Sequence, residues 1–480
     1  DIAFIDQGVT LKFSQDTVLF DTLFTTIGSS TAWLKVKNPE KKPVLIDRIY
    51  LAGGTASNFR INIDGEAATV VKDFRLDGGD SIFIFVEVTV DPNNSNNPMV
   101  IADSVVFENK GTVQSVHLVA WGQDAHFIVA DKSIGSLQYK IVAGENENIT
   151  WTNDKPYVIY GYAVIDSAGQ LNINPGTQIH FHNNSGMWVY IDGCLKVNGT
   201  KDDPVTFQGD RPEGYYKDIP GQWDRIWINQ GSRDSEINYA VIRNGFIGIQ
   251  AEKLGSQSYS NKLVLNNTII ENMSGRGIFT KSYNIEATNC LIANTGEISV
   301  YLSAGGSYDF RHTTIANYWP YETRQIPSVV VSNYYFDAAN NIVYSGDLVK
   351  AYFGNSIIYG SNKEEFAMAN EHGGLFNYTL DHCFIKTSLN PADYPLDWLN
   401  CMTRNSDLPG YNPNEPLFVD APNGTFELDS LAPVVDYGSL QIINNAPVSP
   451  ASIIQHDIKG NSRISDIAPD LGVFEFVPGQ

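Results

Sequence analysis

The stretch NCLIANTGEISVYLSAGGSYDFRHTTIAN, residues 289–317, contains two near copies of one six-residue phrase. NCLIAN begins at Asn289, and HTTIAN begins 23 residues later at His312. Because side chains alternate between the two sides of a strand, the second and fourth residues of each copy point the same way. A strand that returns at such an interval is typical of a solenoid, in which each repeat packs on its neighbours.

The phrase recurs through the second half of the chain, and its fourth residue is a branched aliphatic each time: Ile242, Ile270, Ile292, Ile315, Val343 and Ile385. Its second residue is small or short: Ala240, Thr268, Cys290, Thr313, Asn341 and Cys383. One large and one small inward side chain per repeat fit a narrow interior. The repeat therefore predicts a parallel β-helix whose coils are spaced at about 4.8 Å.

Other positions of the phrase add detail to this prediction. The sixth residue is Asn244, Asn272, Asn294 or Asn317, which predicts a turn where amides hydrogen-bond along the stack. The third residue is mostly apolar, so we expect one face to be covered by a loop or by the first domain. NSIIYG at 355–360 also matches, but Ile358 lies only 15 residues beyond Val343, which is too short for a coil. The register over 345–380 therefore stays open.

Residues 1–125 have a different pattern. Eight short segments alternate β-branched or aromatic residues with polar ones, and Gly, Asn, Asp and Pro separate them. This pattern is typical of an antiparallel β-sandwich. We predict an all-β chain with a sandwich over 1–125 and a β-helix over 126–480.

Composition and charge exclude several classes of protein. The 54 acidic and 32 basic side chains leave a net charge of −22, and no basic run is present, so nucleic acid is not an expected partner. No apolar stretch reaches the roughly 18 residues that span a membrane. The four cysteines lack metal-site spacing and are predicted to be buried free thiols, with a disulfide or a metal site as the alternatives.

One outward position of the repeat is rich in carboxylates. Three residues before the phrase, successive copies carry Glu236, Val264, Glu286, Asp309 and Asp337. Like charges on neighbouring coils raise one another's pKa or hold a cation, and both serve polysaccharide cleavage. The candidate catalytic residues are Glu286, Asp309, Asp337, Arg311 and His312. The alternative is an ordinary polar face, since outward carboxylates are frequent in so acidic a chain.

Two insertions supply candidate carbohydrate-binding residues, because aromatic rings suit stacking on sugars. The first, NYWPYETRQIP at 317–327, contributes Trp319, Tyr321 and Arg324. The second, at 208–227, contributes Tyr215, Tyr216 and Trp223. The alternative for the second is a rigid loop that folds back on the helix, since it also contains Pro212, Pro220 and Gly221.

The β-helix region also resembles a known family. LNINPGTQIHF at 171–181, CLKVNGTKDDPVTF at 194–207 and WDRIWI at 223–228 resemble the first coils of bacterial right-handed parallel β-helix proteins with the pectate-lyase-like fold. FELDSLAPVVDYGS and HDIKGNSRISDIAPDLGVFEF, which begin at Phe426 and His456, resemble their closing segment. VLFDTLFTTIGSSTAWLKVKN at 18–38 and DSIFIFVEVTV at 80–90 resemble Hydin-type immunoglobulin-like domains.

The resemblance implies an exported bacterial protein, since this group includes polysaccharide lyases, glycoside hydrolases and surface lipoproteins. We expect a noncatalytic polysaccharide-binding protein of the outer membrane or periplasm, anchored through a lipid on a removed N-terminal segment. A lyase or hydrolase is the first alternative, and a spacer or adhesin is the second. No cofactor is expected, and Ca²⁺ is the ion that an acidic column would suit. The motifs of serine hydrolases, zinc peptidases and P-loop proteins are absent from the sequence.

Overall fold

The chain divides into two compact units. The structure is a computed structural model that describes residues 4–24, 29, 31–89, 99–211, 216–254, 261–371, 373–404, 417–447, 452–465 and 467–478. The first unit comprises Asp1–His126 and Arg211–Lys217, and the second comprises Phe127–Asp210 and Asp218–Gln480. Arg211–Lys217 lies within the range that the sequence assigned to the β-helix.

The first unit is built from two five-stranded sheets over one apolar core. Its strands are β1 (Lys12–Phe13), β2 (Thr17–Phe24), β3 (Ala32–Lys37), β4 (Val44–Leu51), β5 (Phe59–Ile63), β6 (Glu66–Ala67), β7 (Val70–Leu76), β8 (Ser81–Val88), β9 (Met99–Asn109) and β10 (Thr112–Gln123). The sheet orders are β1-β3-β8-β5-β6 and β2-β10-β9-β4-β7. All pairs are antiparallel except β2 with β10, which run parallel.

The second unit contains the remaining strands, most of which return once in each coil. They are β11 (His126–Val129), β12 (Lys132–Ile134), β13 (Leu137–Ala143), β14 (Asn148–Trp151), β15 (Tyr157–Tyr160), β16 (Tyr162–Ile165), β17 (Gln170–Ile173), β18 (Gln178–Phe181), β19 (Gly186–Val189), β20 (Cys194–Asn198), β21 (Val205–Gly209), β22 (Ile226–Asn229), β23 (Ser235–Asn238), β24 (Ala240–Arg243), β25 (Ile247–Glu252), β26 (Leu263–Asn266), β27 (Ile269–Met273), β28 (Arg276–Thr288), β29 (Leu291–Thr295), β30 (Val300–Arg311), β31 (Thr314–Asn317), β32 (Val329–Ser332), β33 (Tyr334–Asp337), β34 (Ile342–Ser345), β35 (Leu348–Gly354), β36 (Ile357–Gly360), β37 (Phe366–Ala369), β38 (Phe376–Asp381), β39 (Phe384–Lys386), β40 (Trp398–Leu399), β41 (Met402–Arg404), β42 (Phe418–Asp420) and β43 (Thr425–Leu428).

These strands form three parallel faces around one core, which is a parallel β-helix. Face one contains β11, β15, β18, β21, β24, β27, β29, β31, β36, β39 and β41. Face two runs through β13, β16, β19, β22, β25, the first halves of β28 and β30, β32 and β37. Face three runs through β14, β17, β20, β23, β26, the second halves of β28 and β30, β35, β38 and β40. The all-β prediction is confirmed.

The inward aliphatic ladder is also confirmed. Ile242 pairs with Ile270, Ile270 with Ile292, and Ile292 with Ile315 on successive strands of face one. All four side chains are buried in the common core. The first residue of the phrase takes a left-handed backbone, with φ between 47° and 54° at Tyr239, Asn267, Asn289, His312, Asn355 and His382. Asn and His are enriched in that conformation, which explains why the phrase so often begins with them.

The register prediction beyond His312 is wrong. Ile315 pairs with Ile358 rather than with Val343, so NSIIYG is the next coil. Asn340-Asn341 instead lies in the loop of an antiparallel hairpin, where Val343 pairs with Phe336. The two sites share one sequence signal, because Asn followed by alternating apolar residues suits a hairpin turn and a coil corner equally.

The C-terminal segment covers face one. Leu291 and Phe384 pack against side chains of residues 417–476 in two apolar clusters. The sequence predicted that one face is covered, because the third residue of the phrase is mostly apolar. The segment contains the helices α1 (Leu440–Asn444) and α2 (Ser452–Gln455) and one of the three short 3₁₀ turns, Gly54–Ala56, Pro391–Asp393 and Ala421–Asn423. None of the helices in the described ranges has the length and apolarity that crossing a membrane requires.

Candidate functional site

The carboxylates predicted as a column lie in one outward row on face three. Glu236 pairs with Val264, Val264 with Glu286, and Glu286 with Asp309. Each carboxylate, however, contacts a cation: Lys196 Nζ is 2.6 Å from Glu236, Lys262 Nζ is 2.6 Å from Glu286, and Arg311 Nε and Lys350 Nζ are 2.7 and 2.6 Å from Asp309. The row is a ladder of ion pairs, and not a stack of like charges.

Asp337 does not belong to this row, so its predicted position is wrong. The residue that follows Asp309 on face three is Tyr352. Asp337 ends the first strand of the inserted hairpin and accepts hydrogen bonds from the backbone of Ala339 and from both nitrogens of Asn340. The hydrogen bond from the Asn340 side chain lowers the pKa of Asp337. These contacts describe a carboxylate that caps a loop.

Arg311 and His312 are both buried. Arg311 binds the C-terminal segment, and His312 packs at the corner of the coil. Arg311 Nη1 donates to the carbonyl of Ile442 over 2.7 Å. His312 Nε2 lies 3.0 Å from Asn355 Nδ2, and burial lowers the pKa of His312 well below its ordinary value. Neither side chain is exposed to solvent where a polymer would bind.

The predicted aromatic residues separate into two groups. Trp223 is only 1% exposed and stacks on Phe181 at 4.6 Å inside the helix, which contradicts a role in sugar stacking. Arg324 is buried in an ion pair with Glu365 at 2.6 Å, because the insertion folds back on the coil. Trp319 and Tyr321 remain accessible, with ring centroids 4.9 Å apart and Tyr321 54% exposed.

Among the described residues, the insertion at 208–227 contributes fewer accessible aromatic rings than the insertion at 317–327. Tyr215 lies outside the described residues. Tyr216 is grouped with the first unit, where the Arg211 guanidinium lies 4.2 Å from its ring centroid. That contact occupies one side of the ring.

Sequence reasoning missed a cleft at the corner between faces one and two, which we call the corner cleft. Its volume is about 440 Å³. It opens beside the turn from β18 to β19. Its lining residues are Val129, Ala130, Ser136, Leu137, Gln138, Tyr160, Gly161, Tyr162, His182, Asn183, Asn184, Ser185 and Asp224.

Three residues with useful chemistry stack at this corner, and we call them the corner column: Tyr160, His182 and Asp210. Ile159 pairs with Phe181, and Phe181 pairs with Gly209 on successive strands of face one. The residues that directly follow these paired positions are Tyr160, His182 and Asp210, and they therefore lie next to one another on successive coils. The Tyr160 and His182 rings are 4.7 Å apart, and His182 Nδ1 lies 2.8 Å from Asp210 Oδ2. Aligning YVIY, QIHFH and VTFQGD in the register of the phrase would have found this column.

Exposure differs along the corner column. The His182 side chain is 47% exposed, whereas that of Asp210 is only 5% exposed. The buried Asp210 carboxylate therefore fixes the orientation of the His182 imidazole through Nδ1, and the rest of the ring faces the cleft. Burial, helped by the nearby Asp210 carboxylate, raises the pKa of Tyr160 to about 12, so the phenol stays protonated at neutral pH.

A second set of polar groups leads out of the cleft along face two, and we call it the polar track. The Tyr162 hydroxyl donates to Asp224, and Arg225 pairs with the other oxygen of that carboxylate at 2.8 Å. Arg225 continues to Gln250, Gln250 Nε2 donates to Glu252 over 3.1 Å, and Lys281 lies 2.8 Å from Glu252. Burial is the largest cause that raises the pKa of Tyr162, so its proton stays on this bond.

Aromatic side chains flank the polar track. Trp188 and Trp227 stack at 4.6 Å and 8°, and the Trp227 indole N–H donates to Glu252 over 2.7 Å. Since the rings stack along the coil axis, each uses a face on the other and turns its edge outward. The pair therefore stiffens face two.

Among the described residues, no three His, Cys, Asp or Glu side chains converge as a metal site requires.

Comparisons with known proteins add the following. No family model matches the sequence, and no curated protein matches it. The catalytic unit of a thermostable GH87 α-1,3-glucanase from Streptomyces thermodiastaticus is 10% identical over 73% of this chain and 79% of its own, with a TM-score of 0.20. A family 123 glycoside hydrolase from Clostridium perfringens is 6% identical over 25% of this chain, with a TM-score of 0.18.

A protein of unknown function from Porphyromonas gingivalis is 19% identical over 28% of this chain, with a TM-score of 0.18. The chain spans 30% of the family 123 hydrolase and 58% of the Porphyromonas protein. At this level of similarity none of these matches carries an argument about function. The fold assignment rests on the strand pairing itself.

Proposed function

We propose that the protein binds polysaccharide and that the corner cleft holds one or two sugar units of the polymer. The observation that carries the proposal is the corner column, which opens into a cleft of about 440 Å³ lined with amides and tyrosines. That volume lies within the range of about 300–1,000 Å³ that small-molecule sites occupy. Ring faces and side-chain amides together suit the apolar and hydroxyl surfaces of a sugar.

The lining favours an uncharged sugar. Among the described residues that line the cleft, no lysine or arginine is present, and the guanidinium of Arg225, which follows Asp224, is paired with that carboxylate. An acidic sugar would meet the carboxylates of Asp210 and Asp224 without a free cation to balance it. The amides of Gln138, Asn183 and Asn184 pair with hydroxyl groups at no such cost.

The polar track supports a long ligand. It continues from Asp224 across successive coils of face two, where the Arg225 and Lys281 side chains are 23% and 20% exposed, so a polymer with one unit in the cleft can extend over these partly exposed groups. A polysaccharide ligand also fits the expected exported protein, held at the bacterial outer membrane as a lipoprotein or present in the periplasm. A noncatalytic binding role is the simplest form of the proposal.

The second candidate site is the loop that carries Trp319 and Tyr321. The exposed Tyr321 ring, with its hydroxyl donating to the carbonyl of Asp218 over 3.0 Å, favours it. The spacer or adhesin alternative requires neither site.

The test measures binding of the full chain to neutral polymers (xylan, glucomannan and mixed-linkage β-glucan) and acidic ones (polygalacturonate and alginate). We expect a neutral polymer to bind, and Tyr160→Ala to weaken that binding at least tenfold, about 1.4 kcal/mol. Trp319→Ala is the matched aromatic control and should bind as the wild type does. Loss of binding in Trp319→Ala alone would move the site to the loop, and the absence of binding to every polymer would refute the proposal.

A further inference from the structure

We propose that the corner cleft is also a catalytic site, in which His182 acts as the general base that hydrolyses an acyl ester on a bound neutral sugar. This inference rests on the proposed polysaccharide binding and adds an activity to it. It starts from the geometry of the corner column.

Asp210 fixes which nitrogen of His182 is available. A carboxylate accepts hydrogen bonds, so Nδ1 of the neutral imidazole carries the proton that Asp210 binds at 2.8 Å. The lone pair is then on Nε2, which has no hydrogen-bond partner among the described residues. A buried carboxylate behind a solvent-facing histidine is the arrangement that orients a general base.

The other carboxylate of the cleft is committed elsewhere. Asp224 accepts from the Tyr162 hydroxyl at one oxygen and pairs with Arg225 at the other, so both of its oxygens are engaged. Hydrolysis of a glycosidic bond requires two carboxyl groups that flank the bond, one of them protonated. With Asp210 bound to His182 and Asp224 held in this network, the cleft does not supply that pair.

Elimination from a uronic acid fits the cleft no better. That reaction removes a proton beside a carboxylate, and it proceeds when a cation neutralises the charge. The described lining offers no lysine or arginine for this purpose. Ester hydrolysis needs a base, a water molecule and donors for the oxyanion, and those are the groups that this cleft brings together.

The step balances without a co-reactant. His182 Nε2 takes a proton from water as the water oxygen bonds to the acyl carbon, and the carbonyl electron pair moves onto the carbonyl oxygen. Tyr160, protonated at neutral pH, and the amides of Asn183 and Asn184 are the available donors to that oxyanion. The C–O bond to the sugar then breaks as the imidazolium returns the proton to the sugar oxygen. The products are a carboxylic acid and a free sugar hydroxyl.

The test measures acetate release from acetylated xylan and acetylated glucomannan by the full chain, with 4-nitrophenyl acetate as a small probe. We expect His182→Gln to lower kcat by roughly 10² to 10⁴ fold, the usual contribution of a general base. His382→Gln is the matched control. His382 also bonds a carboxylate, Asp381 at 2.8 Å, but lies outside the cleft, so its loss should leave turnover unchanged.

Asp210 is a positioning residue and needs a different readout. Asp210→Asn should lower kcat at least tenfold with KM unchanged, because the amide no longer enforces the Nδ1–H tautomer. Melting temperatures check that each variant is folded.

The outcomes separate the two proposals. Polymer binding without acetate release from any probe, or release unchanged in folded His182→Gln, would overturn the catalytic inference and leave the binding proposal standing. Absence of both binding and release would refute both.

Discussion

At the scale of single residues, His180 and His182 show how the end of a strand changes the environment of a side chain, because the strand ends at Phe181 between them. His180 is buried and donates from Nδ1 to the carbonyl of Gly209 over 2.9 Å. His182 follows the end of the strand and faces solvent. Burial lowers the pKa of His180 to about 4, so the folded protein holds it neutral.

This burial predicts acid sensitivity. Between the ordinary value of 6.5 and the folded value of about 4, the unfolded chain binds a proton at His180 that the folded chain lacks. The free energy of unfolding should therefore fall as pH drops through that interval, by about 3 kcal/mol in total from this residue. His180→Asn, which keeps a donor to Gly209, should lose that part of the pH dependence in denaturant titrations at pH 7, 6, 5 and 4. Identical slopes in both proteins would contradict the assignment.

The acidic row yields a second prediction at this scale. Asp309 contacts both Arg311 and Lys350 and is buried, so Asp309→Asn should lower the free energy of unfolding by about 3 kcal/mol. Asp337→Asn, on the exposed hairpin loop, is the matched control and should cost less than about 1 kcal/mol. Both variants should bind polysaccharide as the wild type does. A loss of binding in folded Asp309→Asn would restore the row as a functional site.

At the scale of elements, the inward ladder could be read from the sequence because burial imposes it. A branched aliphatic must fill the same place in every coil, and that requirement repeats at Ile242, Ile270 and Ile292. The hairpin at 334–345 could not be distinguished from a coil of the β-helix, since its turn residues and its alternation of apolar and polar residues are those of a coil. Trp223 was misjudged for a related reason: an aromatic in an insertion can return to the core, where it stacks on Phe181.

The inward ladder predicts that truncating an aliphatic side chain to alanine lowers the free energy of unfolding far more inside the core than on the exposed hairpin. Ile292→Ala should lower the free energy of unfolding by about 3 to 4 kcal/mol, because it leaves a cavity between the Ile270 and Ile315 side chains. Val343→Ala, at the exposed position that the phrase wrongly placed in the core, should change it by less than about 1 kcal/mol. Chemical denaturation monitored by tryptophan fluorescence measures both. Equal costs would contradict the register.

At the scale of the whole molecule, charge and site agree on the kind of ligand. The net charge of −22 repels anionic polymers over long range at low salt, and the described residues that line the cleft include no lysine or arginine. Composition therefore predicted the exclusion of nucleic acid and, with the cleft geometry, supports a neutral glycan. The cleft itself was not predictable from composition, because it depends on which residues follow the paired strands of three coils.

The central claim is that the ligand sits in the corner cleft, and hydrogen exchange of the full chain with and without its tightest-binding neutral polysaccharide tests it most directly. We expect slower exchange in peptides that cover 136–138 and 182–185, with no change in those that cover 319–326. Protection confined to 319–326, or protection in neither region despite saturated binding, would contradict the claim.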